Sequence, residues 1–162
     1  MDTRSKIVAL QPLTAKVNGH KTRGERIVLA NGCFDVLHVG HVRYLEAARR
    51  EGDVLVVAIN SDQSVRTLKG EGRPILPASA RARLVAGLAA VTYVVIFEEA
   101  DVTRLLSLLR PDIHAKGTDY TVETVPERET AVRLGIQIAI VGDPKQHSTR
   151  ELLTRLRSHS HG

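Results

Sequence analysis

Five short runs of apolar residues, each followed by a longer stretch of different character, constrain the fold of this chain more than any other feature. The runs are RIVLAN at 26–31, DVLVVAIN at 53–60, YVVIFE at 93–98, DIHAK at 112–116 and IQIAIVG at 136–142. The second run is apolar almost throughout, which is typical of a strand that is covered on both faces of a parallel sheet. The sequence therefore predicts five β-strands with connections long enough to hold helices.

The connecting stretches have the apolar spacing and the end signals of helices, such as Pro111 and Gly135 directly after two of them. Helices are predicted at 39–51, 78–91, 101–110, 124–135 and 148–158, with a short helix and a Gly- and Pro-rich loop at 61–77. This alternation predicts an α/β protein with a Rossmann-like, open, five-stranded parallel sheet and helices on both faces. Its ligand site would lie beyond the carboxyl ends of the strands, where the strand order reverses.

The chain has 162 residues, which suits one domain with one core. We expect this domain over 26–158, preceded by an N-terminal segment at 1–25 and followed by a disordered tail at 159–162. Because only 3% of the residues are aromatic, the core must be mainly aliphatic.

The net charge of +5 is spread along the chain rather than concentrated, and exposed aromatic candidates are few. This pattern argues against nucleic acid as a partner and favours a small phosphorylated substrate. No run approaches the roughly 20 apolar residues of a membrane helix, so no membrane association is expected. The single cysteine, Cys33, and the lack of a signal-like N-terminus predict a cytoplasmic protein.

Polar residues follow three of the predicted strands, at 31–35, 116–119 and 143–147. Since the carboxyl ends of parallel strands meet at one edge of a sheet, we expect the three groups to lie close together. A single polar group would be unremarkable in a loop, but three at one edge indicate a binding site.

His38 and His41 stand at the start of the predicted helix 39–51, with Gly40 between them. Both rings would lie on one face of the first helical turn, where backbone N–H groups and the helix dipole attract anions. Gly40 would let a phosphate approach the backbone. The alternatives are that one histidine packs or caps the helix, or that both bind zinc, for which no third ligand is apparent at a familiar spacing. No metal ligands are assigned.

The segment GCFDVLHVGHVRYLEAAR at 32–49 resembles the signature of the nucleotidyltransferases that carry an HxGH motif. The resemblance continues through VAINSDQSVRTLKGEGRPI, RARLVAGLAAV, HAKGTDYT and HSTRELL, and covers residues 26 to about 157. Within this family, the series of motifs is most similar to that of the heptose 1-phosphate adenylyltransferases. That resemblance implies transfer of AMP from ATP to a heptose 1-phosphate, with release of pyrophosphate, in lipopolysaccharide synthesis.

The resemblance also implies roles for individual residues. The residues expected to act on the phosphates are His38, His41, Lys69 and Arg81. Those expected to bind the nucleotide are Gly32, Cys33, Phe34, Asp35, Gly40, Lys116, Gly117, Asp119, Ser148 and Thr149. Those expected to bind the sugar phosphate are Asn60, Asp62 and Arg73.

Mg²⁺ is expected to accompany ATP, with Asp35 either near the metal or only fixing the turn. The resemblance further implies a homodimer. The main alternative is a CTP-dependent cytidylyltransferase acting on glycerol 3-phosphate or a related alditol phosphate. A nucleotide-binding regulator without turnover is less favoured, because a binding module would need fewer of the cationic residues. Thr118, where the family more often has glycine, is one of the departures from the usual motifs.

Overall fold

The computed structural model describes residues 2–143 and 149–160 and contains a five-stranded sheet. The strands are β1 (Ile27–Gly32), β2 (Val54–Asn60), β3 (Tyr93–Phe97), β4 (Ile113–Lys116) and β5 (Gln137–Ile140). Their order is β3-β2-β1-β4-β5, and every pairing is parallel. The predicted fold class and all five strands are confirmed.

The helices are α1 (Leu10–Thr22), α2 (Val39–Arg49), α3 (Asp62–Lys69), α4 (Ala78–Ala86), α5 (Thr103–Leu109), α6 (Arg128–Leu134) and α7 (Thr149–His159). Helix α6 begins four residues later than predicted, because Pro126 keeps Val125 extended and only a short 3₁₀ turn precedes it. It ends at Gly135, whose φ of 71° makes the left-handed cap that the sequence predicts. Among the described residues, no helix has the length and apolar character needed to cross a bilayer.

The apolar core lies on both faces of the sheet, and every residue of β2 is buried. On one face, Val57 and Ile59 of β2 pack with residues of α2 and α4 such as Leu45. On the other face, Leu29 of β1 packs with residues of α1, α5 and α6 such as Leu106. The period of two along each strand therefore divides its side chains between two helical layers.

The N-terminal segment is part of this core rather than a separate piece. Leu13 and Val17 of α1 are fully buried against the sheet, and the backbone N–H of Val8 donates to Val94 O at the edge strand β3. The packed unit therefore extends to the N-terminal side of residue 26, and the predicted domain boundary there stays a prediction. At the other end, His159 belongs to α7 and not to the tail, whereas residues 161–162 lie outside the described part.

The strand order reverses beside β1, which pairs with β2 on one side and with β4 on the other. The chain passes from β1 outward to β3 and then returns to β4. The connections that leave the carboxyl ends of β1 and β4 therefore diverge, which leaves a crevice between them. Helix α2 begins next to this crevice at Val39, and six residues separate it from the end of β1 at Gly32.

Candidate active site

His38 and His41 form a stacked pair at the N-terminus of α2. Their ring centroids are 3.9 Å apart and the ring planes differ by 25°. His38 is the N-cap residue, and its Nδ1 accepts a hydrogen bond of 3.1 Å from the backbone N–H of Gly40. His41 Nδ1 accepts one of 3.2 Å from the backbone N–H of His38. The two side chains thus cap the helix reciprocally, whereas the capping alternative assigned this role to one histidine only.

These two hydrogen bonds determine where the imidazole protons lie. A ring nitrogen that accepts from a backbone N–H must present a lone pair, so Nδ1 carries no proton in either ring. In the neutral state the proton is then on Nε2, at the opposite edge of each ring, which makes Nε2 a hydrogen-bond donor. Two parallel imidazoles with donors away from the backbone are suited to anionic oxygens.

The turn that connects β1 to α2 contains a strained residue, Phe34, whose φ of 50° is unusual for a bulky side chain. Its ring is buried and lies 5.2 Å from the ring of His41. Gly32 makes this packing possible, because a Cβ there would come within 3.0 Å of the Phe34 ring. The Phe34 side chain therefore packs beneath His41, and the predicted nucleotide binding by Phe34 stays a prediction.

Asp35, the next residue, is 1% exposed and points into the protein. Its carboxylate accepts from the backbone N–H groups of Ile75 and Leu76 at 2.7 and 3.0 Å and from Arg73 Nε at 2.5 Å. Burial raises the pKa of Asp35, but these backbone donors and the guanidinium outweigh burial and hold the pKa below its usual range. Both oxygens are occupied, so Asp35 fixes the turn in this structure. Its predicted contact with the nucleotide or the metal stays a prediction.

Arg81 of α4 is 0% exposed. Four of its N–H donors are taken by protein oxygens: Leu76 O at 2.9 Å, Cys33 O at 2.7 Å, Asn60 O at 2.8 Å and Asp62 Oδ1 at 2.8 Å. In this structure the donors are directed at the ends of β1 and β2 and at Asp62. The predicted action of Arg81 on the phosphates stays a prediction.

The predicted sugar-phosphate residues lie in the same hydrogen-bonded group. Asn60 is buried, and its Nδ2 donates to Ser64 Oγ at 2.9 Å. Its predicted substrate contact stays a prediction. Asp62 also accepts from the backbone N–H of Ala78 at 2.8 Å, at the start of α4. Asp62 and Arg73 keep partial exposure, with 43% and 16% of their side chains accessible, and their substrate contacts stay predictions.

Lys69 ends α3 and is exposed at the same edge of the sheet as Cys33. Burial raises the pKa of the Cys33 thiol, and the positive charges of Lys69, Arg81 and Arg73 oppose that shift. The Cys33 Sγ lies 3.7 Å from Asn60 Oδ1. Of these three cations, Arg81 is ion-paired with Asp62 and Arg73 with Asp35, whose negative charge also acts on the thiol. The predicted actions of Lys69 and Cys33 on a nucleotide stay predictions.

Lys116 and the loop after it form the other wall of the crevice. Lys116 is 6% exposed, and its Nζ lies 4.4 Å from the centre of the Tyr120 ring. Burial lowers the pKa of Lys116, while the negative charges of Glu127 and Asp119 oppose that shift. Among the described residues, no carboxylate lies within ion-pair distance of this ammonium. Lys116 is therefore a mostly buried cation at the edge of the sheet.

The loop itself is held by short-range contacts. The backbone N–H of Tyr120 donates to Gly117 O at 3.1 Å, and a Cβ at Gly117 would come 3.1 Å from Asp119 Oδ1. Thr118 donates from its hydroxyl to Asp143 O at 2.8 Å, which ties this loop to the end of β5. The threonine that departs from the family motif thus links two of the three polar groups. Nucleotide binding by Lys116, Gly117 and Asp119 stays a prediction.

Two buried polar residues near Lys116 were not recognised from the sequence motifs. His114 Nε2 lies 3.0 Å from Asn31 Oδ1, while its Nδ1 has no hydrogen-bond partner among the described residues. Burial lowers the pKa of His114 to about 3, and the charge of Lys116 acts in the same direction. Glu127, also buried, has one oxygen without such a partner. The alternation in DIHAK, which puts His114 and Lys116 on one face of β4, was the available signal.

The third polar group is only partly described. Ser148 lies outside the described residues, and Thr149 is the first residue of α7, with its side chain outside the description. In the described part, no three His, Cys, Asp or Glu side chains are arranged to hold a metal ion. The described site therefore consists of the histidine pair with Gly40, the exposed Lys69 and the Lys116 loop around the crevice.

Relatives of known sequence match nearly the whole chain. Bifunctional protein HldE of Geotalea uraniireducens (strain Rf4) is 45% identical over 159 residues, which are 98% of this chain and 32% of that protein. Bifunctional protein HldE of Pelobacter propionicus is 46% identical over 155 residues, with 96% and 32% covered. The chain thus spans about a third of the length of the curated relatives it matches.

A solved structure and a family model agree with this result. The lipopolysaccharide core biosynthesis protein from Thermoplasma volcanium GSS1 superposes with a TM-score of 0.65 at 28% identity, over 75% of this chain and 100% of that one. The model of the family described as cytidylyltransferase-like matches residues 29–155, from β1 to α7. This stretch contains the histidine pair, Lys69 and the Lys116 loop. The chain belongs to the cytidylyltransferase-like family of nucleotidyltransferases.

Proposed function

We propose that this chain transfers AMP from ATP to a heptose 1-phosphate and releases ADP-heptose and pyrophosphate. The observation that carries the proposal is the stacked histidine pair at the N-terminus of α2, with its protons on Nε2. The motif series supports the choice of substrates, since it is most similar to the heptose 1-phosphate adenylyltransferases. The solved relative, a lipopolysaccharide core biosynthesis protein, is consistent with a sugar nucleotide as product.

In the proposed reaction, an oxygen of the sugar 1-phosphate attacks the α-phosphorus of ATP in line. The new P–O bond forms as the bond to the bridging oxygen breaks, and the electron pair leaves with pyrophosphate. The Nε2–H groups of His38 and His41 and the positive end of the α2 dipole stabilise the charge on the α-phosphate. Lys69 and Lys116 supply further positive charge from the two walls of the crevice.

No covalent intermediate on the protein is part of this mechanism. Cys33 is the nucleophilic side chain nearest to the crevice, but burial raises the pKa of its thiol and so disfavours the thiolate. Catalysis then depends on position and charge rather than on a nucleophile with an adjacent base.

Mg²⁺ is proposed to enter with ATP, as part of the substrate. The described residues support this source, because they contain no arrangement of three donor side chains for a metal and the carboxylate of Asp35 is occupied. The ion would neutralise charge on the triphosphate.

The test is pyrophosphate release measured with each of four nucleoside triphosphates and a panel of sugar 1-phosphates and alditol phosphates. We expect release only with ATP, Mg²⁺ and a heptose 1-phosphate together. A preference for CTP with glycerol 3-phosphate would contradict the substrates and leave the chemistry intact. Absence of turnover with every pair, despite nucleotide binding, would indicate the non-catalytic regulator.

A homodimer in the cytoplasm is also proposed, on the family resemblance alone. Light scattering at micromolar concentration tests the assembly, and a mass near 17.7 kDa would contradict it. A reduced thiol at Cys33 in freshly purified protein would be consistent with the location.

A further inference from the structure

The turn between β1 and α2 delivers His38 to the crevice from a conformation that the chain does not favour. Phe34 has a φ of 50°, where the Cβ of an L-residue crowds the backbone. A bulky residue keeps such a conformation only when the surrounding structure holds it there. The contacts around this turn therefore bear directly on the position of the histidines.

On the N-terminal side of Phe34, the turn is held by Arg81. Its Nη1 donates to Cys33 O at 2.7 Å and to Asn60 O at 2.8 Å, so one nitrogen joins the ends of β1 and β2. The Nε of the same guanidinium donates to Leu76 O at 2.9 Å, and Asp62 supplies the balancing carboxylate at 2.8 Å. Arg81 is 0% exposed, so water does not compete for these bonds.

On the C-terminal side of Phe34, the turn is held by Asp35. Its carboxylate binds the backbone N–H groups of Ile75 and Leu76. Leu76 is therefore held from both sides, since its N–H binds Asp35 and its carbonyl binds Arg81. These bonds close a ring. The backbone joins Cys33 to Asp35, the Asp35 carboxylate accepts from the Leu76 N–H, and Arg81 donates to the carbonyls of both Leu76 and Cys33.

We propose that Arg81 is a positioning residue for the histidine pair. It holds the left-handed turn at Phe34 and, through that turn, sets the place of His38 and of the His41 ring that packs on Phe34. The planar fork of a guanidinium suits this task, because its donors reach carbonyls on three separate segments. The kinetic tests of this proposal rest on the proposed function, because they measure turnover. The test by hydrogen exchange does not.

The first experiment compares Arg81→Lys and Arg81→Ala with Arg83→Ala, an exposed arginine two residues further along α4. Turnover is determined per folded molecule, with the folded fraction taken from thermal unfolding. We expect both Arg81 variants to lower kcat by about 10²-fold, the loss typical of a misplaced reacting group, with a much smaller change in the KM for ATP. Ethylguanidinium at millimolar concentration should restore part of the kcat of Arg81→Ala and leave Arg83→Ala unchanged.

The second experiment is a double-mutant cycle with His41→Ala. If Arg81 acts through the histidines, Arg81→Ala should lower kcat much less in the His41→Ala background than in the wild type. Equal fold-losses in the two backgrounds would overturn the proposal. Normal turnover per folded Arg81 variant would overturn it too, as would failure of both variants to fold, since Arg81 would then serve the fold alone.

Amide hydrogen exchange provides a readout that needs no substrate. In Arg81→Lys, the amides of residues 33–41 should exchange faster than in the wild type, while those of β2 and β4 keep their protection. Unchanged exchange over 33–41 would overturn the positioning role. If exchange changes as expected but no sugar phosphate is turned over, then the proposed function fails and the proposal for Arg81 stands.

Discussion

The two walls of the crevice differ in how completely their buried polar groups are paired. At the ends of β1 and β2, the carboxylate of Asp35 receives four hydrogen bonds and the guanidinium of Arg81 makes four. Behind the end of β4, His114 and Glu127 each keep a buried atom without a partner among the described residues. We call these the paired wall and the β4 wall.

This difference indicates that the two walls have different roles. A network that is fully paired within the protein is rigid, and it suits the part of the site that must hold the transferring phosphate. Polar groups that are incompletely paired lose less when they rearrange around a ligand. The β4 wall is therefore where we expect the nucleotide base and the sugar to be distinguished.

The largest expected effect is a loss of kcat on removal of a histidine from the pair that the paired wall supports. His41→Ala should lower kcat by about 10² to 10³-fold, the cost of losing one preorganised donor at the transferring phosphate. Stability should fall by only about 1 kcal/mol, because His41 also accepts from the His38 N–H at the helix N-terminus. Single-turnover rates and thermal unfolding on the same sample measure the two effects. Val39→Ala, at an exposed neighbour, is the control.

The opposite outcome would be a strongly destabilised His41→Ala variant with a normal rate per folded molecule. It would show that the histidine pair serves packing and capping alone.

Asp35→Asn breaks the paired wall directly. The amide has almost the same shape as the carboxylate, but it carries no charge and turns an NH₂ group toward backbone N–H donors. We expect the unfolding free energy to fall by about 2–4 kcal/mol, as for other buried charged groups that lose their partners. Urea unfolding at neutral pH measures this, and a loss below about 1 kcal/mol would contradict the view that this wall is fully paired.

His114→Gln tests the β4 wall through pH. The folded pKa of His114 is about 3, below the usual value of 6.5, so the unfolded chain binds a proton between these values while the folded chain does not. Protonation then favours unfolding, and wild-type stability should fall by about 1.4 kcal/mol per pH unit as the pH drops below 6.5. The variant should lack this part of the slope.

Urea unfolding between pH 7.5 and about pH 4.5 measures the slope. Over this range we expect His114 to dominate the pH dependence of the unfolding free energy. His159→Gln, at the exposed end of α7, should behave like the wild type. Equal slopes for all three proteins would mean that folding does not lower the pKa of His114.

The smallest expected effect is that of Glu127→Gln, the counterpart of Asp35→Asn. Glu127 is also buried, but the one backbone donor to it, the Val102 N–H, is 3.4 Å away. An amide oxygen can accept that bond equally well and removes a buried charge, so stability should change by less than about 1 kcal/mol. A loss as large as that of Asp35→Asn would abolish the distinction between the walls.

The sequence predicted the parts of the molecule that depend on local pattern. The five strands follow from apolar runs, and the place of His38 and His41 follows from their position at the start of the helix after β1. The contacts that the sequence did not reveal are those between residues distant in sequence. Asp35 is paired with residues 38 to 41 positions away, and Arg81 reaches Cys33 across 48. A motif identifies such residues as necessary, but it does not distinguish a ligand contact from a contact with a neighbouring strand.

The burial of α1 has a practical consequence for anyone who trims this protein. The family match begins at residue 29, and an expression fragment cut there would lack Leu13 and Val17, which cover one side of the sheet. It would also lack the backbone bond from Val8 to Val94 at the edge strand β3. An uncovered apolar face beside an unpaired strand edge is a template for aggregation. We therefore expect a protein truncated to the matched stretch to aggregate, although every described residue of the crevice would still be present.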